Sequence, residues 1–242
     1  MQLLLLMLIF LTLRTRAAEI IGGHEAKPHS RPYMAYLWIG DDAICGGFLI
    51  NEKFVLTAAH CSGSSINVTL GAHDIKKQEK TQQIIRVKKA LPHENYSTEL
   101  YTNDIMLLQL EEKANLTKEV QFLRLPKGKS QVKPGAMCHV AGWGRLAPGR
   151  KRATTLQEVE MTVQKDEKCE TRYSRYDRAT QICAGDPKIR KASFKGDSGG
   201  PFVCNNVAQG IVSYGKKDGT TPCIYTKVSH FLRWIKKTMK HH

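Results

Sequence analysis

Three short stretches carry side chains of complementary chemistry. Gly196-Asp197-Ser198-Gly199-Gly200-Pro201 sets a serine among glycines, directly after an acid. Glycines allow a tight turn on which a hydroxyl stands clear and backbone N–H groups stay free to hold an anion. Upstream, Thr57-Ala58-Ala59-His60-Cys61 offers an imidazole, and Asn103-Asp104-Ile105-Met106-Leu107-Leu108 offers a carboxylate. A serine hydroxyl is a weak nucleophile until a base takes its proton, and an imidazole serves best when an acid fixes its tautomer. Ser198, His60 and Asp104 are therefore the candidate nucleophile, base and orienting acid of an acyl transfer. Each alone reads as an ordinary surface serine, disulfide-adjacent histidine or turn-capping aspartate; the three motifs in this order do not.

The order His60, Asp104, Ser198, with these flanking residues, resembles the chymotrypsin-fold serine proteases, and the resemblance runs from Ile20 to the C-terminus. Ile20-Ile21-Gly22-Gly23-His24-Glu25-Ala26 and the residues to Ala35 are similar to the granzyme, chymase and cathepsin G branch, and within it to granzymes B and H. The resemblance implies a serine endopeptidase acting on proteins and peptides, with further residues in named roles. The backbone N–H groups of Gly196 and Ser198 would form the oxyanion hole. The α-amino group of Ile20, freed when an activating protease removes Ala18-Glu19, would pair with Asp197 and switch the enzyme on. Serpin-type inhibitors are implied as partners.

The same resemblance places Ala192, Ser193, Gly215 and Cys223 around the primary substrate pocket. None carries a fixed charge, so a buried lysine or arginine of the substrate would be desolvated without a partner. The pocket is expected to take Phe, Tyr, Leu or Met before the cut. The alternative is an aspartate preference, as in granzyme B, where an arginine stands at the position of Cys223. Lys195 is expected at the cleft mouth, favouring acidic residues beyond the scissile bond.

Seven cysteines in a secreted chain imply disulfides with one left over. The resemblance pairs Cys45 with Cys61, Cys138 with Cys204 and Cys169 with Cys183. Phe194 stands where many relatives carry a cysteine of another bridge. The odd Cys223 reads as a small buried hydrophobe, with pairing to another chain or narrowing of the pocket as alternatives. Asn67-Val68-Thr69, Asn95-Tyr96-Ser97 and Asn115-Leu116-Thr117 are glycosylation acceptors. His73, His93 and His139 lack a partner motif, and His241-His242 is too short for a ligand set, so neither a metal nor another cofactor is expected.

Elements able to position such a site are short β-rich runs separated by turns. They lie at 33–39, 46–50, 54–56, 66–70, 83–87 and 105–110, then at 137–141, 156–163, 201–204, 208–214 and 224–228. This pattern predicts an all-β chain, and with the resemblance two antiparallel six-stranded β-barrels. A C-terminal α-helix is expected from Ser229, its N-cap, to Lys237. The boundary falls near Leu125-Pro126-Lys127-Gly128, dividing 20–125, with His60 and Asp104, from 126–242, with Ser198 and the pocket. The active site would be the crevice between them.

Residues 3–13 form an apolar run too short to span a bilayer comfortably, followed by small Ala17 and Ala18. We read 1–17 as a signal peptide and 18–19 as the activation dipeptide. That predicts a secreted chain without a membrane span, and the resemblance adds storage in secretory or cytolytic granules. The net charge of +15 over 242 residues is scattered along the chain and favours polyanionic partners. It reads either as a solvated face or as a means of storage on an acidic, heparin-like proteoglycan. No recognised nucleic-acid motif accompanies it, so nucleic acid is not expected as a partner. The competing class is a basic, non-catalytic protease homologue that binds polyanions.

Overall fold

The computed structural model describes residues 20–128 and 131–242. The leader and the dipeptide expected at 1–19 lie outside the described residues. Six strands close into a barrel: β2 (Met34–Ile39), β3 (Ala43–Asn51), β4 (Phe54–Thr57), β5 (Ile66–Leu70), β6 (Gln83–Pro92) and β7 (Met106–Leu110). Their order is β2-β3-β4-β7-β6-β5, with β5 returning to pair β2. Strand β5 alternates, with Ile66, Val68 and Leu70 inward and Asn67 exposed. All five residues of β7 are buried: Met106, Leu107, Leu108 and Leu110 as apolar side chains, and Gln109 with its amide hydrogen-bonded to the His242 carbonyl.

The second half is a seven-stranded sheet. Its strands are β1 (His24–Glu25), β8 (Met137–Gly142), β9 (Gln157–Thr162), β10 (Gln181–Ala184), β11 (Pro201–Cys204), β12 (Val207–Tyr214) and β13 (Cys223–Lys227). Their order is β1-β9-β8-β11-β12-β13-β10. Six of these curl toward closure, but β9 and β10 meet through the isolated bridge Val163–Ala184 rather than a ladder, and β1 adds a seventh strand. The two-residue β1 is too short to leave a signature, and β10 (Gln-Ile-Cys-Ala) has a single strongly strand-favouring residue where the equally short β4 and β11 have Phe and Val, which is why the strand pattern omits them.

The sheet also carries a short helix, α1 (Glu167–Glu170), tied by the Cys169–Cys183 disulfide. The terminal helix, α2, runs from Leu232 to His241. The expected cap at Ser229 is not used: Ser229 lies in a 3₁₀ turn (Val228–His230), and no side chain caps α2. Phe231 and Ile235 are what anchor the helix, packed in the core, and its end reaches back to the barrel where the Gln109 side-chain amide donates to the His242 carbonyl at 2.6 Å.

One hydrophobic cluster runs through both halves, joining Leu37, Val55 and Leu107 of the barrel to Val203 and Ile211 of the sheet. Trp143 is its largest member at the junction. Its ring meets Tyr36 edge-on at 5.7 Å, and its indole N–H donates to the His73 carbonyl at 3.0 Å. The rim of this shared core is where the three chemical motifs come together.

Candidate active site

His60 sits in a single 3₁₀ turn, Ala59–Cys61, at the end of β4. The Cys45–Cys61 disulfide ties that turn to β3. Asp104 precedes β7, which pairs β4, so the ladder brings imidazole and carboxylate together. The His60 Nδ1 lies 2.8 Å from Asp104 Oδ2, and the His60 backbone N–H donates to Oδ1 at 3.0 Å. Ser213 Oγ donates to the same Oδ2 at 2.5 Å. Asp104 is fully buried, so its charge is held by these donors rather than by water.

Ser198 and His60 line one cavity of about 300 Å³ with Ser193, Lys195, Gly215 and Cys223. The serine's turn is fixed from both halves: the Gly46 N–H donates to the Ser198 carbonyl at 2.7 Å, and the Gly199 N–H donates to Val212 at 2.8 Å. Gly196 has φ +102°, and a Cβ there would lie 2.8 Å from Gly144 Cα. Only glycine fits that conformation beside that neighbour. Among the described residues, the N–H groups of Gly196 and Ser198 donate to no protein acceptor.

Asp197 is fully buried behind the turn. The Phe194 N–H donates to one of its carboxylate oxygens at 2.8 Å and the Gly144 N–H to the other at 2.9 Å. Burial pushes its pKa up to about 6, with the two N–H donors opposing. Among the described residues no basic side chain pairs with it. The Ile20 side chain is buried in the cluster that holds Ala192, Cys223 and Tyr225, and the Ala192 N–H donates to the Ile21 carbonyl at 3.0 Å. Ile20 and Ile21 thereby pack behind the segment whose next residue, Ser193, lines the cavity.

Of the expected pocket residues, Ser193, Lys195, Gly215 and Cys223 line that cavity, Ser193 and Cys223 buried and Gly215 and Lys195 exposed, whereas Ala192 is fully buried and not on its lining. Cys223 is unpaired, and burial pushes its thiol up to about 11. Its sulfur would lie 3.3 Å from a Cβ built on Gly215, so thiol and glycine are packed side by side on the pocket lining. Ser193 Oγ lies 3.3 Å from the Tyr225 hydroxyl. The other disulfides are Cys138–Cys204 and Cys169–Cys183. Asn67, Asn95 and Asn115 are all exposed. Cys45, His60 and Cys61 offer atoms within 4.8 Å of one another, but the two sulfurs are bonded to each other and have no thiolate to give a metal.

The sequence pattern did not single out the aromatic wall or the rest of the basic mouth. Tyr101 stacks edge-on beside His60 at 5.7 Å and meets Tyr214 at 5.7 Å, while the Arg175 guanidinium lies 5.6 Å from both tyrosine rings. Lys216 and Lys217 join Lys195 on the cavity lining. Isolated residues in irregular loops carry no spacing signal; only the Ser213-Tyr214-Gly215 run, beside the pocket glycine, pointed this way.

A serine and an imidazole on one cavity, the ring held at Nδ1 by a buried carboxylate, with two free N–H donors and a pocket without a carboxylate, are equipped for acyl transfer. The comparisons agree with that chemistry. A trypsin family model matches residues 20–235. Granzyme B(G,H) of Mus musculus is 64% identical over 242 residues, covering 98% of each chain. Granzyme H of Homo sapiens is 61% identical over 241 residues, again covering 98% of each. A solved structure of GrC superposes with a TM-score of 0.88 at 56% identity, covering 92% of this chain and 100% of its own. The chain belongs to the trypsin family, with the chymotrypsin-like fold, and is a granzyme-like serine endopeptidase.

Proposed function

We propose that Ser198 attacks the carbonyl carbon of a peptide bond while His60 accepts its proton at Nε2 and later gives it to the departing amine. Asp104 holds the ring with Nδ1–H donating to Oδ2, which leaves Nε2 as the acceptor, and stabilises the imidazolium. The N–H groups of Gly196 and Ser198 receive the oxyanion. Water then repeats the sequence to release the acyl group. The observation that carries this reading is the buried Asp104 bound to both the ring and the backbone of His60, with His60 and Ser198 on one cavity.

The neutral lining of Ser193, Gly215 and Cys223, with Ala192 buried next to Ser193, favours Phe, Tyr, Leu or Met before the cut. Discrimination among these is shallow, since a methylene in an apolar pocket is worth only about 1–3 kcal/mol. Lys195 at the mouth favours acidic residues beyond the scissile bond, while Lys216 and Lys217 on the same lining favour a second reading, an aspartate before the cut. Activation follows removal of Ala18-Glu19, when the Ile20 ammonium pairs with Asp197. The excess of basic residues supports storage on an acidic proteoglycan in secretory or cytolytic granules. Serpin-type inhibitors would bind as substrates do. The division at 125/126 then puts base and nucleophile on opposite lobes.

The test is a panel of peptides differing only in the residue before the cut, Phe, Leu, Met, Asp or Lys. It uses enzyme beginning at Ile20 and a Ser198→Ala control. Cleavage after Phe, Leu or Met, absent in the control, supports the neutral pocket. Dominant cleavage after Asp selects the second reading, and no cleavage of any peptide moves the chain to the non-catalytic class.

A further inference from the structure

A groove of about 700 Å³ lies outside the active-site cavity, and the catalytic reading makes no use of it. Its floor is the outer face of β2 and β5, its walls the residues around Ile84 and the 145–154 loop. Trp38 is 45% exposed there and Ile84 72%, an apolar surface left open on a barrel that buries nearly all its other large side chains. Lys76, Arg145, Arg150, Lys151 and Arg152 line the same groove, and no carboxylate does. None of these five cations forms a salt bridge among the described residues. Unpaired charge of one sign beside exposed aromatic and aliphatic surface is complementary to an acidic segment with an apolar anchor.

The groove is joined to the catalytic turn. The Arg145 N–H donates to the Lys195 carbonyl at 2.7 Å, three residues before Ser198. Trp38 pairs across β2 and β3 with Ile44, whose side chain lies against Gly196. The groove therefore opens on the barrel side of Ser198, away from the pocket of Ser193 and Cys223. A substrate seated with its acyl side in that pocket sends its leaving side toward the groove.

We propose that this groove is a docking site for an acidic segment of the protein substrate, bearing an apolar residue, that lies beyond the scissile bond. Trp38 and Ile84 take the apolar residue, and Arg150 and Lys151 take the carboxylates. Asn67 and Thr69 of one glycosylation acceptor also line the groove, so a sugar on Asn67 would stand where the segment docks. The location on the leaving side rests on the serine-endopeptidase mechanism above; the groove's ability to bind does not.

The probe is a labelled peptide of Asp and Glu residues around a central Phe-Leu pair, followed by fluorescence anisotropy. The mature chain carries Ser198→Ala, so that the probe is not cut, and Asn67→Gln, so that no sugar fills the groove. Ile84→Ser and the pair Arg150→Ala/Lys151→Ala change exposed side chains and should each weaken binding about tenfold. Replacing Phe-Leu by Ser-Ser should weaken binding to the parent but not further to Ile84→Ser. In chains with Ser198 restored, the same variants should cut a short peptide confined to the active-site cavity within about twofold of the parent. Unchanged affinity in both groove variants, or equal affinity for the Ser-Ser peptide on the parent, overturns the proposal. A chain that binds the probe through the groove yet cuts no peptide sinks the catalytic reading and leaves this one standing.

Discussion

Asp104 holds His60 twice, at the ring through Oδ2 and at the backbone through Oδ1, while Ser213 shares Oδ2 with the imidazole. Because the carboxylate is fully buried, every one of its partners is a protein group, and the ring cannot turn without breaking the set. Asp104→Asn keeps the size but presents an amide that favours the wrong tautomer. Turnover should fall about 10⁴-fold with KM little changed, a magnitude taken from the family's own template. Ser213→Ala removes one donor and leaves the tautomer, so it should cost about 1–3 kcal/mol of stability and lower turnover by less than Asp104→Asn. Steady-state kinetics and denaturant melts on the same preparations separate the two effects.

Gly196→Ala tests the anion-holding turn. At φ +102° an alanine is strained, and its Cβ would press on Gly144 Cα at 2.8 Å and Ile44 Cδ1 at 3.2 Å. The turn must move, and its N–H groups with it. Displacing one oxyanion donor should lower kcat by about 10²–10³-fold while the chain still folds and binds substrate. A variant with unchanged kcat would mean that the oxyanion is held elsewhere.

The legibility of this site differed by the kind of residue. His60, Asp104 and Ser198 stand in distinctive runs, and the glycines that strain and crowding demand at 196 and 199 are visible as letters. Most strands were legible from their runs of apolar and β-branched residues, whereas β1 is too short to show a period and β10 carries only Ile182 as a strong strand former. The helix start was misplaced because Ser229 looks like a cap, while burial of Phe231 and Ile235 sets where α2 docks. Tyr101, Arg175 and the cationic groove are assembled from separate loops. Their meaning lies in a juxtaposition that only tertiary packing creates.

Cys223 decides the character of the pocket. It is buried and unpaired, and its pKa is pushed up to about 11, so little thiolate is present at neutral pH. Thiol titration of the native mature enzyme should find no accessible group, and unfolding should reveal one. Cys223→Arg would place a cation on the pocket wall beside Gly215 and convert a neutral lining into one that pairs with a substrate carboxylate. Cleavage after Asp should rise and cleavage after Phe should fall in the peptide panel. Retention of the Phe preference by Cys223→Arg would show that the side chain at this position does not face the substrate.

Among the described residues no cation meets the Asp197 carboxylate, and the proposed activation would supply one. With Ile20 in peptide linkage, the carboxylate has two backbone N–H donors and no cation, and its pKa rises to about 6. Its usual value is 3.8, so between pH 3.8 and about 6 the folded chain keeps a proton that the unfolded chain has lost. Stability should therefore fall as pH rises through that window and stay lower above it, by about 3 kcal/mol. A freed Ile20 ammonium would favour the ionised form and reverse that loss. Melts at pH 4.5 and pH 7 of two Ser198→Ala chains, one beginning at Ala18-Glu19 and one at Ile20, should show the loss only in the first. Asp197→Asn in the longer chain should flatten it. With Ser198 present, both the Glu19-bearing chain and the Asp197→Asn mature chain should fold and remain inactive, because the proposed pair would set the turn that carries Gly196 and Ser198. Full turnover by either would show that the turn forms without the pair.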